Sequence, residues 1–145
     1  MTPRPDMHLP DLFAVPEPAA LVPGALNYGL DVRRLMITAI RGCPLNTRQI
    51  AARMSELIGA PITEHQLHAW TAISRKKWRF PLEYLPAFEA AVETHSITAW
   101  LAGVRGGRLY IGRDVLNAEL GRLERLRDEA TKKIQQLKNV MGDCE

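Results

Sequence analysis

Cysteine is scarce in this chain of 145 residues: Cys43 and Cys144 stand far apart, without a CxxC spacing. Two distant cysteines exclude a disulfide framework and a cysteine-based zinc site. They suit a reducing compartment, and we expect a cytoplasmic protein. His65 and His68 have no third ligand at a useful spacing, so no metal is expected.

Long apolar runs and signatures of catalysis are also lacking. No segment of the sequence is apolar enough to span a membrane, and no basic-then-apolar export signal is present. No Gly-rich phosphate loop and no nucleophile with a nearby base occurs, so we expect neither an enzyme nor a cofactor. The net charge of +3 is too small to indicate a nucleic-acid partner by itself. The 46% of hydrophobic residues suffice for one modest core with appendages.

Proline is concentrated at the start, where residues 1–23 hold six of the ten prolines. Such a density blocks helix and sheet, so residues 1–26 are predicted to form a Pro-rich extended or disordered arm. Within it, LPDLFAV at 9–15 is apolar enough to bind a protein partner. The alternative is an arm that lies on its own domain, or an inert tail.

Two short stretches, LNTRQI at 45–50 and ITEHQL at 62–67, repeat one pattern. Asn46 and Thr63 are good N-cap residues, and a glutamine follows each of them three positions later, as in a capping box. The first helix should run from Thr47 to about Ile58, because Gly59 and a nearby proline end it. The pattern predicts two helices joined by a tight turn.

The remaining segments are also helical in pattern. A helix should begin with Asp31 as its N-cap and end near Gly42. Pro81 and Pro86 suit the first turns of two abutting helices, or of one kinked helix, over 78–92. Residues 97–104 continue the helical pattern, and a glycine-bounded loop follows, with a short strand as one reading of 109–111. We therefore predict an all-α fold: a compact helix-turn-helix domain over 27–112, then a long C-terminal helix and tail over 113–145.

The long helix carries a heptad seam, in which seam positions recur in alternating steps of four and three residues. The predicted dimerisation residues are Leu116, Leu120, Leu123, Arg127, Ala130, Ile134, Leu137 and Met141. So narrow a stripe needs a partner helix, which predicts a homodimer. The alternative is that the helix folds back on its own domain.

Charges beside the seam favour one orientation of the pair. Glu119 and Lys133 take g positions, while Glu124 and Lys138 take e positions. A parallel pair would set like charges against each other, whereas an antiparallel pair would relieve this repulsion. We expect an antiparallel dimer.

The paired helices match the order of a DNA-binding helix-turn-helix, whose second helix lies in the major groove. Leu67 and Trp70 should face the core, towards Ile50, Met54 and Leu57, leaving a polar face for base edges. The predicted base-contacting residues are Glu64, His65, Gln66, His68, Ala69 and Ala72, with Arg75 continuing the same face.

Basic charge gathers on this motif: residues 46–79 hold six basic and two acidic residues. The predicted phosphate-contacting residues are Arg48, Arg53, Arg75, Lys76, Lys77 and Arg79. Each feature has an ordinary alternative, since helix pairs often only pack and short basic runs are often solvated faces. Their coincidence favours DNA binding. Trp70 and Trp78 are expected in the core rather than on a base.

The stretches AARMSELIGAPITEHQLHAWTA at 51–72 and WRFPLEYLPAFEAAV at 78–92 carry a resemblance. Residues 41–92 resemble small helix-turn-helix proteins of temperate and transposable, Mu-like bacteriophages, akin to the Cro and repressor class. The turn SELIGAPIT is longer than the tight turn of that class. The resemblance implies an all-α DNA-binding fold and a role in phage gene regulation.

Two functions remain open from the sequence. The first is a dimeric, sequence-specific protein that binds double-stranded DNA as a phage-type transcriptional regulator. The second is an interaction factor, for example a phage protein that binds a host protein through the helical domain and coiled coil without DNA.

Overall fold

Every regular element in the described part of the chain is a helix. The structure, a computed structural model, describes residues 15–143. Over that range it contains α1 (Gly29–Arg41), α2 (Thr47–Ile58), α3 (Glu64–Thr71), a 3-10 helix (Leu82–Tyr84), α4 (Leu85–Val92), α5 (Ser96–Val104) and α6 (Arg113–Gly142). The all-α prediction is confirmed. Residues 15–28 carry no helix or strand, and the rest of the predicted arm lies outside the described residues.

Contacts divide the chain into two compact units, Met1–Arg108 and Leu109–Glu145. The first contains α1 to α5, and the second contains α6. The sequence had placed this division after Gly112.

Both predicted capping boxes are present. The side chain of Asn46 accepts from the amide of Gln49, whose side chain accepts from the amide of Asn46, each at 2.9 Å. Thr63 and Gln66 repeat the arrangement at the start of α3. Each box pairs amides that a helix start leaves without partners, which is why both helices begin where the sequence indicated.

The predicted N-cap of α1 was wrong. The helix begins at Gly29, and Asp31 lies inside its first turn. Tyr28 takes the cap position without a side-chain cap bond, and its ring packs edge-on against Trp100 of α5, with centroids 5.0 Å apart. This tertiary contact sets the start of α1 before the favourable capping residue is reached.

A single core fills the first unit. The buried side chains that form it are Met36, Ile50, Ala51, Met54, Ile62, Leu67, Trp70, Leu85, Phe88, Ala91, Val92 and Ile97. Trp70 lies edge-on to Phe80 at 5.2 Å. Leu57, expected to join this core, is instead 44% exposed, because it lies at the end of α2 beside an open groove.

Two prolines mark the starts of the 3-10 helix and α4, and one buried carboxylate accepts hydrogen bonds at the start of α5. Pro81 precedes the 3-10 helix and Pro86 lies in the first turn of α4, which confirms two abutting helices. The Glu89 side chain accepts from the amides of Ile97 and Thr98 at 2.8 and 2.9 Å and from the Thr98 hydroxyl. It therefore satisfies free amides at the start of α5.

The strand suggested for 109–111 was wrong, and residues 15–143 contain no strand. A strand needs a neighbour to pair its backbone groups, and this segment has none there. Helix α6 then runs over 30 residues without a buried side chain. None of the described helices is both long and apolar enough to cross a bilayer.

Candidate nucleic-acid interface

The turn between α2 and α3 is held by its own backbone and one serine. Gly59 ends α2 in the left-handed conformation at φ 76°, as its sequence position indicated. The Ser55 hydroxyl bonds to the carbonyl of Ala51 and accepts from the amide of Ile62, both at 2.8 Å. These bonds fix the long turn, so α3 starts from a defined position.

Helix α3 is shorter than the sequence suggested. It ends at Thr71, and Ala72 is already extended, at φ −68° and ψ 116°. The prediction that Arg75 continues the polar face of α3 was therefore wrong. It lies in the segment that follows the helix.

A buried arginine on α1 explains this ending. Arg33 is 7% exposed, and its guanidinium donates only to backbone carbonyls. The two hydrogens of Nη1 are shared among the carbonyls of Ala69, Trp70 and Ala72 at 3.3, 2.9 and 2.9 Å, and Nη2 donates to the carbonyls of Arg75 and Trp78 at 2.9 and 2.6 Å. The last carbonyls of a helix lack partners within it, so a cation here satisfies the helix end and fixes the chain beyond it.

The segment that Arg33 fixes is the most basic part of the first unit. We call residues 72–79 the basic loop. Arg75, Lys76, Lys77 and Arg79 are all exposed, and none of them has an ion-pair partner within residues 15–143. With Arg33 beneath, the loop gathers five positive charges that no carboxylate in that range neutralises.

Trp78 lies on the surface of this loop, contrary to the core position expected for it. Its side chain is 47% exposed, while its amide donates to the Arg75 carbonyl at 3.0 Å. The ring meets that of His65 edge-on, with centroids 6.3 Å apart. The hydrogen bonds from Arg33 hold the loop backbone with the indole outward, so the basic loop and the exposed face of α3 adjoin.

Glu64 binds the start of α3 to the start of α2. Its carboxylate accepts from the Thr47 hydroxyl at 3.0 Å and lies 3.4 Å from His68 and 3.7 Å from Arg48. The Thr47 hydrogen bond lowers the pKa of Glu64 below its usual value, and His68 and Arg48 act in the same direction against an opposing effect of desolvation. Glu64 is therefore a connection between helices as much as a free surface group.

The structure separates the six predicted base-contacting residues. Ala69 is fully buried and cannot reach a ligand, so its assignment was wrong. Its position in the last turn of α3 turns its side chain into the core. Gln66 is engaged in the capping box, and Ala72 is half-buried beyond the helix end. Only His65 and His68 present well-exposed side chains, with Glu64 half-buried beside them.

The predicted phosphate-contacting residues fall into two groups. Arg48 and Arg53 each lie close to a carboxylate, Glu64 at 3.7 Å and Glu56 at 2.9 Å. The four cations of the basic loop have no such neighbour in the described range. Of the six predicted residues, the cations left without a nearby carboxylate in that range are therefore those of the basic loop.

Sequence reasoning missed Arg33, although a signal was present. Arg33 precedes Met36 by three residues and Ile40 by seven, which places it on the buried stripe of α1. A charged residue in such a stripe needs hydrogen-bond partners, but the pattern cannot say which.

The predicted dimerisation residues all lie on α6, in one continuous helix. Every one of them is exposed in the single chain. The e and g residues are exposed as well, and Glu119 is bonded within its own helix to Arg122 at 2.6 and 2.9 Å. The Arg122 guanidinium lowers the pKa of Glu119.

Within the described residues, no three His, Cys, Asp or Glu side chains gather as a metal site. No known family model matches the chain, and no curated protein or solved structure is similar to it.

Proposed function

We propose that this chain binds double-stranded DNA and acts as a sequence-specific transcriptional regulator of the phage type. The observation that carries the proposal is the basic loop: four exposed cations that no carboxylate within residues 15–143 pairs, on a backbone that a buried fifth cation holds. Cations on a backbone held by hydrogen bonds suit a regular polyanion, because such a backbone loses less conformational freedom on binding than a free one.

In this proposal α2 and α3 act as a helix-turn-helix. Phosphates bind Arg75, Lys76, Lys77 and Arg79, while the exposed face of α3 approaches base edges. Direct base contacts then come chiefly from His65 and His68. The Trp78 ring, beside His65, extends this surface onto the loop. The chain acts by binding and carries out no catalysis.

The test compares two triple variants of the full chain. Arg75→Ala/Lys76→Ala/Lys77→Ala removes three cations from the basic loop. The control, Arg34→Ala/Arg41→Ala/Arg105→Ala, removes three exposed cations from elsewhere in the first unit. Binding isotherms on duplex DNA at several salt concentrations measure the affinity and its salt dependence.

We expect the loop variant to lose affinity for all duplexes, with the slope of log K against log salt reduced by about one per lost phosphate contact. The control should keep most of its slope. Equal losses in both variants would mean that general charge, not the basic loop, attracts DNA. No binding of the native chain to any duplex at low salt would end the proposal.

A shallow groove favours the second candidate function, binding of a protein partner. The groove has a volume of about 470 Å³ and is lined by Leu57, Ile58, Glu83, Tyr84, Pro86, Ala87 and Ala90. Leu57 is exposed in this lining, and Leu82, which precedes the lining residue Glu83 in sequence, is exposed as well. The test crosslinks the native chain to proteins of a bacterial extract and repeats the experiment with Leu57→Arg. If the native chain does not bind DNA but captures a partner that the Leu57→Arg variant does not capture, the interaction function replaces DNA binding.

A further inference from the structure

Helix α6 has an apolar seam that nothing in its own unit covers. Its seam residues follow one uninterrupted helix from Leu116 to Met141, and all of them are exposed. A long helix with so narrow a stripe gains its stability from a partner helix with the same repeat. The chain itself supplies such a repeat.

We propose that two copies of the chain pair through α6 in an antiparallel coiled coil of a single register. In it, Leu116 faces Met141 of the second copy, Leu120 faces Leu137, Leu123 faces Ile134, and Arg127 faces Ala130. Every seam residue then has a partner. This pairing goes beyond DNA binding and does not depend on it.

The middle of the seam decides between the two orientations. A parallel pair sets each seam residue against its own copy, so Arg127 would meet Arg127 and Ala130 would meet Ala130. The first layer would bring two positive charges together, and the second would leave a void between two small side chains. The antiparallel register instead sets one long side chain against one small one, twice, in adjacent layers.

The flanking charges support this choice more weakly. A parallel pair would set Glu119 against Glu124 and Lys133 against Lys138, whereas the antiparallel pair sets the acidic first half of each helix beside the basic second half of the other. Arg122 already neutralises Glu119 within its own helix at 2.6 Å, which reduces that repulsion. Exposed ion pairs contribute little to stability, so the central layers of the seam favour the antiparallel orientation more strongly than these charges do.

The test uses single cysteines in the full chain, with Cys43→Ala and Cys144→Ser as background. In the proposed register, residue 120 of one copy and residue 120 of the other lie about 26 Å apart along the axis, and residues 137 are separated equally. Neither Leu120→Cys nor Leu137→Cys can therefore crosslink to itself, since a disulfide needs Cα atoms within about 7 Å. Residues 120 and 137 lie opposite each other.

The two variants are oxidised in a glutathione buffer, separately and as an equimolar mixture, after sedimentation equilibrium of the background chain. We expect a dimer, and a heterodisulfide in the mixture at least about tenfold above either homodisulfide. A homodisulfide of Leu120→Cys alone would show a parallel pair. A dimer without the heterodisulfide would overturn the register, and a monomer would overturn the pairing itself. No DNA is present, so a failure here is separate from a failure of the proposed function.

Discussion

Arg33 is the residue on which the candidate interface depends, although its own side chain is buried. It is a cation with no carboxylate partner in the described range, held by carbonyls that lie 36 to 45 residues further along the chain. Burying such a charge is unfavourable unless its donors are satisfied, and here they are. One side chain thus links α1, the end of α3 and the basic loop.

Arg33→Met should destabilise the fold by about 2–4 kcal/mol, because it leaves buried carbonyls without a donor. Urea denaturation measures the loss, and hydrogen exchange at the amides of Arg75 and Trp78 should speed up. Arg34→Met, at the exposed neighbouring position, is the matched control and should change stability by less than about 0.5 kcal/mol. Equal urea midpoints for the two variants would show that the hydrogen bonds from Arg33 do not contribute to the stability of the fold.

Glu64 predicts a pH dependence of stability. Its folded pKa is lowered, chiefly by the Thr47 hydroxyl, so its contribution to stability is fully present above its usual value of 4.5 and is lost as pH falls through the lowered pKa. Native chain should therefore be more stable than Glu64→Gln at pH 6, and the gap should close in stronger acid. Urea midpoints from about pH 7 to about pH 3 measure this difference, with the exposed Glu83→Gln as control. A gap that stays constant into acid would contradict the assignment.

At the scale of single helices, α3 depends on groups at both of its ends. It has only eight residues, and such a helix is marginal without its cap and its tertiary contacts. Its start is set by the capping box of Thr63 and Gln66, and its end is set from outside by Arg33. The face offered to DNA in our proposal is therefore fixed at both ends.

Thr63→Ala should cost about 1 kcal/mol of stability, as should Asn46→Ala at the start of α2. Only the first is expected to weaken DNA binding clearly at a temperature where both variants are folded, because it loosens the helix that carries His65 and His68. Thr63→Ser, which keeps the capping oxygen, should restore both properties. Denaturation and isotherms on one duplex give the two readouts. An equal loss of binding in Asn46→Ala and Thr63→Ala would assign the effect to stability alone.

On the scale of the whole molecule, the chain consists of a unit with a core and a unit with an exposed seam. A version ending at Ile111 keeps α1 to α5 and every core residue. We expect it to unfold cooperatively as a monomer, while the full chain is a dimer by sedimentation equilibrium. Its DNA affinity should fall at least tenfold, roughly the effect of losing a linked second site, whereas the basic loop remains. If the full chain and the shortened version are both monomers, the seam packs against the chain's own residues instead.

The sequence predicted most of the fold, whereas some of its assignments at the candidate interface were wrong. Helix starts with capping boxes, the end of α2 at Gly59 and the length of α6 were confirmed, while the Asp31 cap and the strand at 109–111 were wrong. At the interface the sequence named the cations of the basic loop. It also assigned Ala69 to base contacts and Trp78 to the core, whereas Ala69 is buried and Trp78 is exposed. Helical periodicity assumed that α3 continued through Arg75, so it misplaced the residues near its end.

The sequence by itself determined the features that depend on residues close together in the chain. These are the capping boxes of α2 and α3, the glycine that ends α2, and the heptad repeat of α6. Only the tertiary structure decided where α3 ends, that the basic loop is fixed, and that Trp78 faces outward. The reason is physical, since all three depend on hydrogen bonds from Arg33 to carbonyls distant in the chain. Any buried arginine can donate to any free carbonyl, and packing alone selects which ones it meets.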